Sequence, residues 1–503
     1  MNLSRCDGQY IRKRENPPRQ QCNGTKVALS RPIILYNPDS KYYNIPVINI
    51  ALLLFQKYNQ VKDGLRKHYG RPIRALSCPV KLQGNMNMTY RARVVDSELA
   101  ERLSAAGAVV IEGPRASGKT STARQVAASE VLLDVDANAR QAVAVDPSLV
   151  LEGNVPRLID EWQLEPVLWN HIRRVIDDRG AAGQFILTGS AIPADDITRH
   201  TGAARLTRLH MRPMTLFESG YADGTVSLRE LLQGRIAPAQ DPGLTIPDIA
   251  ERIAAGGWPG FLSFTISQSL RAVRDYIEEI RRIDIGRIDQ TRRDPEKVGR
   301  LLRSLARNVS THAAATTLAA DAGGADGTLD DDTVREYLVA LERLMIVEDQ
   351  PAWAPHLRSR SILRRAAKRH FVDPSLAVAA LGATAERLLK DLNLFGLLFE
   401  SLVVRDLRVF AQSVDARVMH YHDNTGLEID AIVEAADGRW AAFEVKLGTG
   451  HIEQGAANLL KFTERIDVER CGTPAILGVI TGRGYCYQRD DGVVVIPVGV
   501  LGP

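Results

Sequence analysis

The sequence predicts an α/β fold: a parallel sheet with helices on both faces, then a helical region and a second α/β domain. Three observations carry this expectation. Ala108–Ile111 (AVVI) is a short apolar run that passes through GPRASGKT into a helical pattern. Strand-like and helical runs then alternate as far as Met211, which is the signature of parallel strands joined by helical crossovers. Toward the C-terminus, Leu427–Val433 and Trp440–Leu447 are two more apolar runs, and they carry charges inside them.

A chain of 503 residues exceeds one ordinary core, and 45% hydrophobic with 25% charged residues is a globular balance. The longest apolar candidate, Ile45–Phe55, is broken by Asn49 and too short to span a bilayer, and Met1–Gln21 lacks the apolar segment of a secretory signal. A soluble, cytoplasmic protein with no membrane partner is expected. The five cysteines are scattered without zinc spacing, so neither a disulfide framework nor a structural metal is expected. Residues 1–85 hold 15 Lys/Arg against 4 Asp/Glu, which leaves the rest mildly acidic. Their NPP, RPI and NPD turns and lack of apolar period mark residues 1–87 as a basic, poorly ordered extension upstream of a start at Met86 or Met88; a basic arm for nucleic acid is the alternative.

Gly113, Pro114, Arg115, Ala116, Ser117, Gly118, Lys119 and Thr120 form the G-x-x-x-x-G-K-[ST] pattern between a strand and a helix, Lys119–Ala128. The glycines let backbone N–H groups surround phosphates, Lys119 suits the β- and γ-phosphates of ATP, and the Thr120 hydroxyl suits Mg²⁺. Val131–Val135 reads as the next strand. Val155–Asp160 is another, and it ends in Asp160-Glu161, an acid pair placed to hold Mg²⁺ through water (Asp160) and to orient or deprotonate an attacking water (Glu161). Gln184–Thr188 ends in Thr188, a polar sensor near the γ-phosphate or a simple turn residue, and Arg205–Met211 is the last strand of the series.

The middle of the chain opens with GGWPGF within Ile253–Leu262, a turn-rich punctuation. A helical stretch, Ile266–Arg292, carries a charged face of Arg281, Arg282, Asp284, Arg287 and Asp289. Lys297–Asn308, Ala313–Ala320 and the amphipathic Asp332–Leu344, capped from Thr328–Asp332, precede extended Ile346–Trp353, the pattern of a winged helix-turn-helix. Its third helix is too acidic for phosphate, whereas Arg358, Arg360, Arg364, Arg365, Lys368 and Arg369 form either a basic wing for nucleic acid or a solvated loop.

In the terminal region, helix Leu394–Val409 bears Glu400, and the two apolar runs bear Asp430, Glu444 and Lys446. Three charges inside apolar strands need a compensating cause. Metal ligation is one and an ion-paired structural remnant is another.

Taken together, IEGPRASGKTSTARQ, RLIDEWQ, FILTGSA, GGWPGF, KRHFVDPSL, LLFESLVVRDL, TGLEIDAIV and FEVKLG resemble bacterial and archaeal AAA-type ATPases with a C-terminal domain of unknown function. The resemblance implies a P-loop AAA-type core with a parallel sheet, a helical and winged-helix region, and a C-terminal α/β restriction-endonuclease-like domain. It further implies a γ-phosphate-reading arginine, with Arg199 and Arg205 as candidates. In working nucleases of that last fold, Asp430 and Glu444 would hold Mg²⁺, Lys446 would assist water and Glu400 would join the metal shell. The expected division is 1–87, extension; 88–225, ATPase core; 226–300, helical linker or lid; 301–375, winged helix; 376–503, terminal domain. The expected function is an ATP-binding, Mg²⁺-dependent ATPase whose nucleotide state controls the terminal domain. Alternatives are an ATP-regulated nuclease acting on nucleic acid and a non-hydrolysing ATP-binding protein that engages a protein partner.

Overall fold

The computed structural model describes residues 90–190, 202–287, 291, 293–323, 329–355 and 366–503, all within the unit Met88–Pro503. The expectations placed on residues 1–87, Arg199, Asp289, Thr328 and residues 358–365 fall outside these described residues.

Five strands, β1 (Ala108–Glu112), β2 (Ser129–Leu132), β3 (Arg157–Asp160), β4 (Phe185–Gly189) and β5 (Leu206–His210), form a wholly parallel sheet in the order β2-β3-β4-β1-β5. Side chains alternate across it with the period of two that a pleated strand imposes. Val110, Ile159 and Leu187 enter one core, while Val109, Ile111, Leu158 and Ile186 enter the other. Helix α1 (Val95–Ala105) adds Leu99 and Leu103 to the second core. The loop GPRASGKT joins β1 to α2 (Lys119–Ala123). Helix α3 (Leu168–Arg179) adds Trp169 and Ile172 to the first core, so both faces are covered, as buried parallel strands require. Helix α2 stops at Ala123 instead of Ala128, and β2 starts at Ser129 instead of Val131. The Ala128 N–H bonds Pro156 O at 2.8 Å and Ser129 registers with Arg157, so sheet pairing overrides the local helical pattern.

The middle region is helical. Helix α4 (Ile246–Ala255) starts at a Thr245–Asp248 capping box, and α5 (Ile266–Glu279) at a Thr265–Gln268 one. Helix α5 does not run on as a regular helix, because Ile280–Asp284 widens into a π-turn. That turn holds Asp284, one of the residues of the expected charged face, in a buried position. Helices α6 (Pro295–Arg307), α7 (Ala315–Asp321) and α8 (Asp331–Arg343) follow, with Asp330 capping α8. Antiparallel bridges Val347↔Phe371 and Gln350↔Lys368 then lead to α9 (Pro374–Ala380) and the long α10 (Leu392–Gln412).

Two short strands, β6 (Val226–Ser227) and β7 (Ala239–Gln240), tie the middle of the chain to its end. With β8 (Ala416–His422), β9 (Glu428–Ala435), β10 (Trp440–Lys446), β11 (Ile476–Thr481), β12 (Tyr485–Gln488) and β13 (Val494–Pro497), β7 completes a seven-stranded mixed sheet in the order β7-β12-β13-β11-β10-β9-β8. Strand β14 (Leu501–Gly502) pairs in parallel with β6. Helix α10 packs one face of the large sheet through Leu398 and Leu402, and α11 (Ile452–Arg465) packs the other through Leu459 and Phe462. The α10-side core runs from Leu216 to Leu501, so the helical region and the terminal sheet are buried against each other.

Candidate functional site

The phosphate-binding pattern lies at the carboxyl end of β1, where parallel sheets expose backbone N–H groups and helix N-termini. A Cβ at Gly113 would lie 2.1 Å from Met211 O, so only glycine lets the loop cross β5 here. Gly118 sits at φ +98°, in the region that favours glycine, and caps α2. Ala116 also has positive φ, and the Ser117 hydroxyl closes the turn by donating to Pro114 O at 2.9 Å. Buried Lys119 donates to Gly113 O (2.9 Å) and Pro114 O (2.8 Å), which folds its ammonium into the loop. Burial pulls that ammonium down to about 8, against the opposing pull of Glu161 and Asp160; an anion in the loop would restore it.

Register brings the second half of the site beside the first. Ile111, Thr188 and Asp160 stand side by side across β1, β4 and β3. Asp160 Oδ1 accepts the Thr120 hydroxyl at 2.9 Å and also the Thr188 hydroxyl, so Thr188 braces the carboxylate. Glu161, at φ +53°, leaves the strand line and accepts from the Gln163 amide and, at 3.3 Å, from the Ser190 hydroxyl. Arg115 turns away from the loop to pair with Asp284 at 2.7 Å, and the Tyr276 hydroxyl donates to Arg115 O at 3.2 Å. Arg205 does not join the site in this chain. It precedes β5 at the sheet end where Ala108 begins, roughly 15 Å of strand from the loop, and it pairs with Asp177 at 2.5 Å.

Arg93, which had no reading in the sequence, and the GGWPGF segment support the loop. Arg93 donates to Ser117 O (2.8 Å), Glu218 (2.9 Å) and Arg212 O (2.8 Å). GGWPGF is more than punctuation: Trp258 is buried and bonds Ser375, while Pro259 faces Gly118. Together they wall a cavity of about 500 Å³ beside α2, lined by Tyr90, Arg93, Thr122, Met214, Pro259 and Leu262. On the other side of β5, Arg212 grips Glu348 through two N–H bonds (2.6 and 2.9 Å) and Gln412 of α10 at 2.7 Å. Glu348 therefore lies well below the usual carboxylate range: burial raises it, but Arg212 and Arg408 outweigh that.

Glu400, Asp430, Glu444 and Lys446 converge in a second cluster, but Lys368 stands among them. Its Nζ lies 2.7 Å from Glu400, 2.6 Å from Glu428 and 3.3 Å from Asp430. Lys446 Nζ lies 3.3 Å from Asp430 and 2.5 Å from Glu444. Burial pushes both Glu400 and Glu444 up to about 8. The expectation of an open metal site at Asp430 and Glu444 is thus met by an ammonium instead, and among the described residues no group of three or more His, Cys, Asp or Glu is arranged to hold a metal ion. The basic run changes meaning as well. Lys368 is buried in this cluster and Arg369 pairs with Asp349, so neither cation is presented to a phosphate backbone. Glu428 could have been found, since i and i+2 share a strand face and Asp430 was already singled out. Lys368 stood out in the sequence as part of a basic run, with nothing there to pair it with these acids.

Residues 105–219 match the family model of an AAA domain. Residues 246–387 and 395–501 match two families described as domains of unknown function (DUF8612 and DUF4143). An uncharacterized protein of Mycobacterium tuberculosis and one of Mycobacterium bovis are each 26% identical over 420 residues, 82% of this chain and 84% of the relative. Among solved structures, a Walker-type ATPase of Pyrococcus abyssi is 13% identical over 58% of this chain and 96% of its own, with a TM-score of 0.35. A signal transduction ATPase with a tetratricopeptide repeat sensor from Pyrococcus horikoshii is 14% identical over 64% of this chain and 50% of its own, with a TM-score of 0.16. Those scores are too low to speak for a shared fold. The chain carries an AAA-type domain on a parallel α/β core, and among the described residues no helix is long and apolar enough to cross a membrane.

Proposed function

We propose that this chain is a Mg²⁺-dependent ATPase whose nucleotide state controls its terminal α/β domain. The observation that carries this reading is the meeting of the Thr120 and Thr188 hydroxyls on one oxygen of Asp160, beside buried Lys119. A hydroxyl and a carboxylate at a phosphate-binding loop are hard oxygen donors that fit Mg²⁺, with Thr120 as a direct ligand and Asp160 acting through water. When bound, Mg²⁺ neutralises charge on the β- and γ-phosphates. Lys119 would exchange its two loop carbonyls for phosphate oxygens, the loop N–H groups would orient the triphosphate, and Glu161 would position or deprotonate the attacking water. The cavity beside α2 has the apolar and aromatic lining that suits the nucleobase.

Control of the terminal domain needs an element whose position nucleotide can bias. Gly113 abuts Met211, whose N–H bonds Glu112 O at 2.7 Å, and the next residue, Arg212, holds Glu348 and α10. This short chain of contacts supports coupling between the loop and α10. The α6–α8 helices with their antiparallel bridges support a winged-helix reading, and the mixed sheet with its four acidic and basic residues supports a restriction-endonuclease-like ancestry.

The test is ATP turnover by the full chain with Mg²⁺. Wild type is expected to release phosphate at least tenfold faster than Lys119→Ala or Glu161→Gln, with Glu161→Gln retaining nucleotide binding. Turnover equal in all three removes the ATPase reading. Binding without turnover would leave a non-hydrolysing switch that engages a partner.

A further inference from the structure

We propose that Lys368 is a built-in cation that takes the place of a divalent metal, making the terminal carboxylate cluster a closed, ammonium-neutralised joint and not a nuclease centre. The proposal is independent of the ATPase reading, because none of its residues touches the phosphate-binding loop.

The donor count carries the argument. A lysine ammonium has three N–H donors, and Lys368 meets three carboxylates, on α10 (Glu400) and on β9 (Glu428 and Asp430). It donates hydrogen bonds to Glu400 (2.7 Å) and Asp430 (3.3 Å) and forms an ion pair with Glu428 at 2.6 Å, all longer than the roughly 2.0–2.1 Å that Mg²⁺ takes from oxygen. Asp430, the residue a metal would most need, has no oxygen to spare. Its Oδ1 faces Lys368, and its Oδ2 accepts from Lys446 at 3.3 Å and from the Val445 N–H at 2.8 Å. A dication entering here would meet two ammonium groups within contact distance, and the repulsion of like charges in a buried site is severe.

Lys368 is also held in place. Its N–H and C=O both pair with Gln350, at 3.0 and 2.9 Å. The Gln350 side-chain amide donates to Met419 O and Asp430 O, each at 3.0 Å. Gln350 Oε1 faces His370 Nε2 at 3.2 Å, and His370 Nδ1 faces the Ser401 hydroxyl at 3.2 Å. The ammonium is therefore fixed from the middle region into the terminal sheet, and it joins the two. Side-chain exposure of 1% for a lysine is tolerated only when its charge is paired, and here three acids surround it.

Calorimetric titration of the nucleotide-free full chain with MnCl₂, alongside Asp430→Asn, tests the proposal without requiring any change at Lys368. The expected result is no saturable Mn²⁺ binding that depends on Asp430, and a melting temperature unchanged between EDTA and Mn²⁺. Saturable binding to wild type that Asp430→Asn abolishes would overturn it. Lys368→Met is expected to lower the melting temperature by several degrees, and Lys368→Met with Glu400→Gln to regain part of that loss by removing an unpaired acid. A Lys368→Met protein as stable as wild type, or a double variant less stable than the single one, would equally overturn it. Should Lys368→Met not fold, recovery of folded protein in the double variant is the expected result.

Discussion

Replacing Arg405 by methionine should destabilise the protein by about 3 kcal/mol, and the deficit should grow with pH. Arg405 lies on α10 with 3% of its side chain exposed, between Asp373 (2.8 Å) and Asp406 (2.7 Å), which are 0% and 3% exposed. Methionine keeps much of the volume but leaves two buried carboxylates without their cation, a change that ordinarily costs roughly 3–5 kcal/mol. The lower end applies because both acids keep backbone donors. Asp373 accepts from Gly257 (3.0 Å) and Ser375 (2.9 Å), and Asp406 from Leu216 (3.0 Å). Burial raises Asp406 to about 6 even with Arg405 beside it. A carboxylate raised above its unfolded value of about 3.9 favours the fold in its protonated form, so that contribution is present below about pH 4 and fades as pH rises through 6. Without the guanidinium the folded value climbs further. Urea unfolding followed by circular dichroism at pH 5 and pH 8 should therefore show the variant losing more at pH 8. A wild-type urea midpoint, or an equal loss at both pH values, would refute the reasoning.

Two further predictions concern the loop and its link to α10. Gly113→Ala drives a Cβ to 2.1 Å from Met211 O, so it should cost roughly 1–3 kcal/mol and weaken ATP affinity at least tenfold in a fluorescent-nucleotide titration; affinity within twofold of wild type would contradict the close approach. Glu348→Gln leaves Arg212 and Arg408 without their acid and should destabilise by about 3 kcal/mol at pH 7. Since Glu348 is held well below its ordinary value, its contribution is fully present above the unfolded pKa of about 4.3 and is lost as pH falls toward the folded one, so the gap between variant and wild type should narrow steadily below about pH 4 in thermal melts.

The strands of the parallel sheet and the phosphate-binding loop could be read in advance as segments, because both rest on neighbours in the chain, whereas the order of strands in the sheet could not. Gly113–Thr120 is one backbone segment, and the unbroken apolar run at the start of Phe185–Gly189 reports two covered faces. Asp160 and Thr188 were found at strand ends for the same reason, although only register shows that Thr188 spends its hydroxyl on Asp160. GGWPGF does punctuate two helices as expected, but its glycines and proline say nothing about Trp258 docking on Ser375. Asp284 was legible only as part of a charged helical face, and its pairing with Arg115 of the loop depends on the π-turn that follows α5.

The sequence by itself determined the main strands of the parallel sheet, where a triphosphate would be cradled, and that charges lie within the terminal strands. Local periodicity and a contiguous loop are enough for that. Only tertiary structure decided what neutralises those charges. Lys368 lies 62 residues before Asp430, in a basic run that read as a wing for nucleic acid or a solvated loop, and it reaches the acids only because Gln350 pairing and α10 packing bring three distant elements together. Charge compensation in a buried site depends on distance in space, and a pattern along the chain cannot report it.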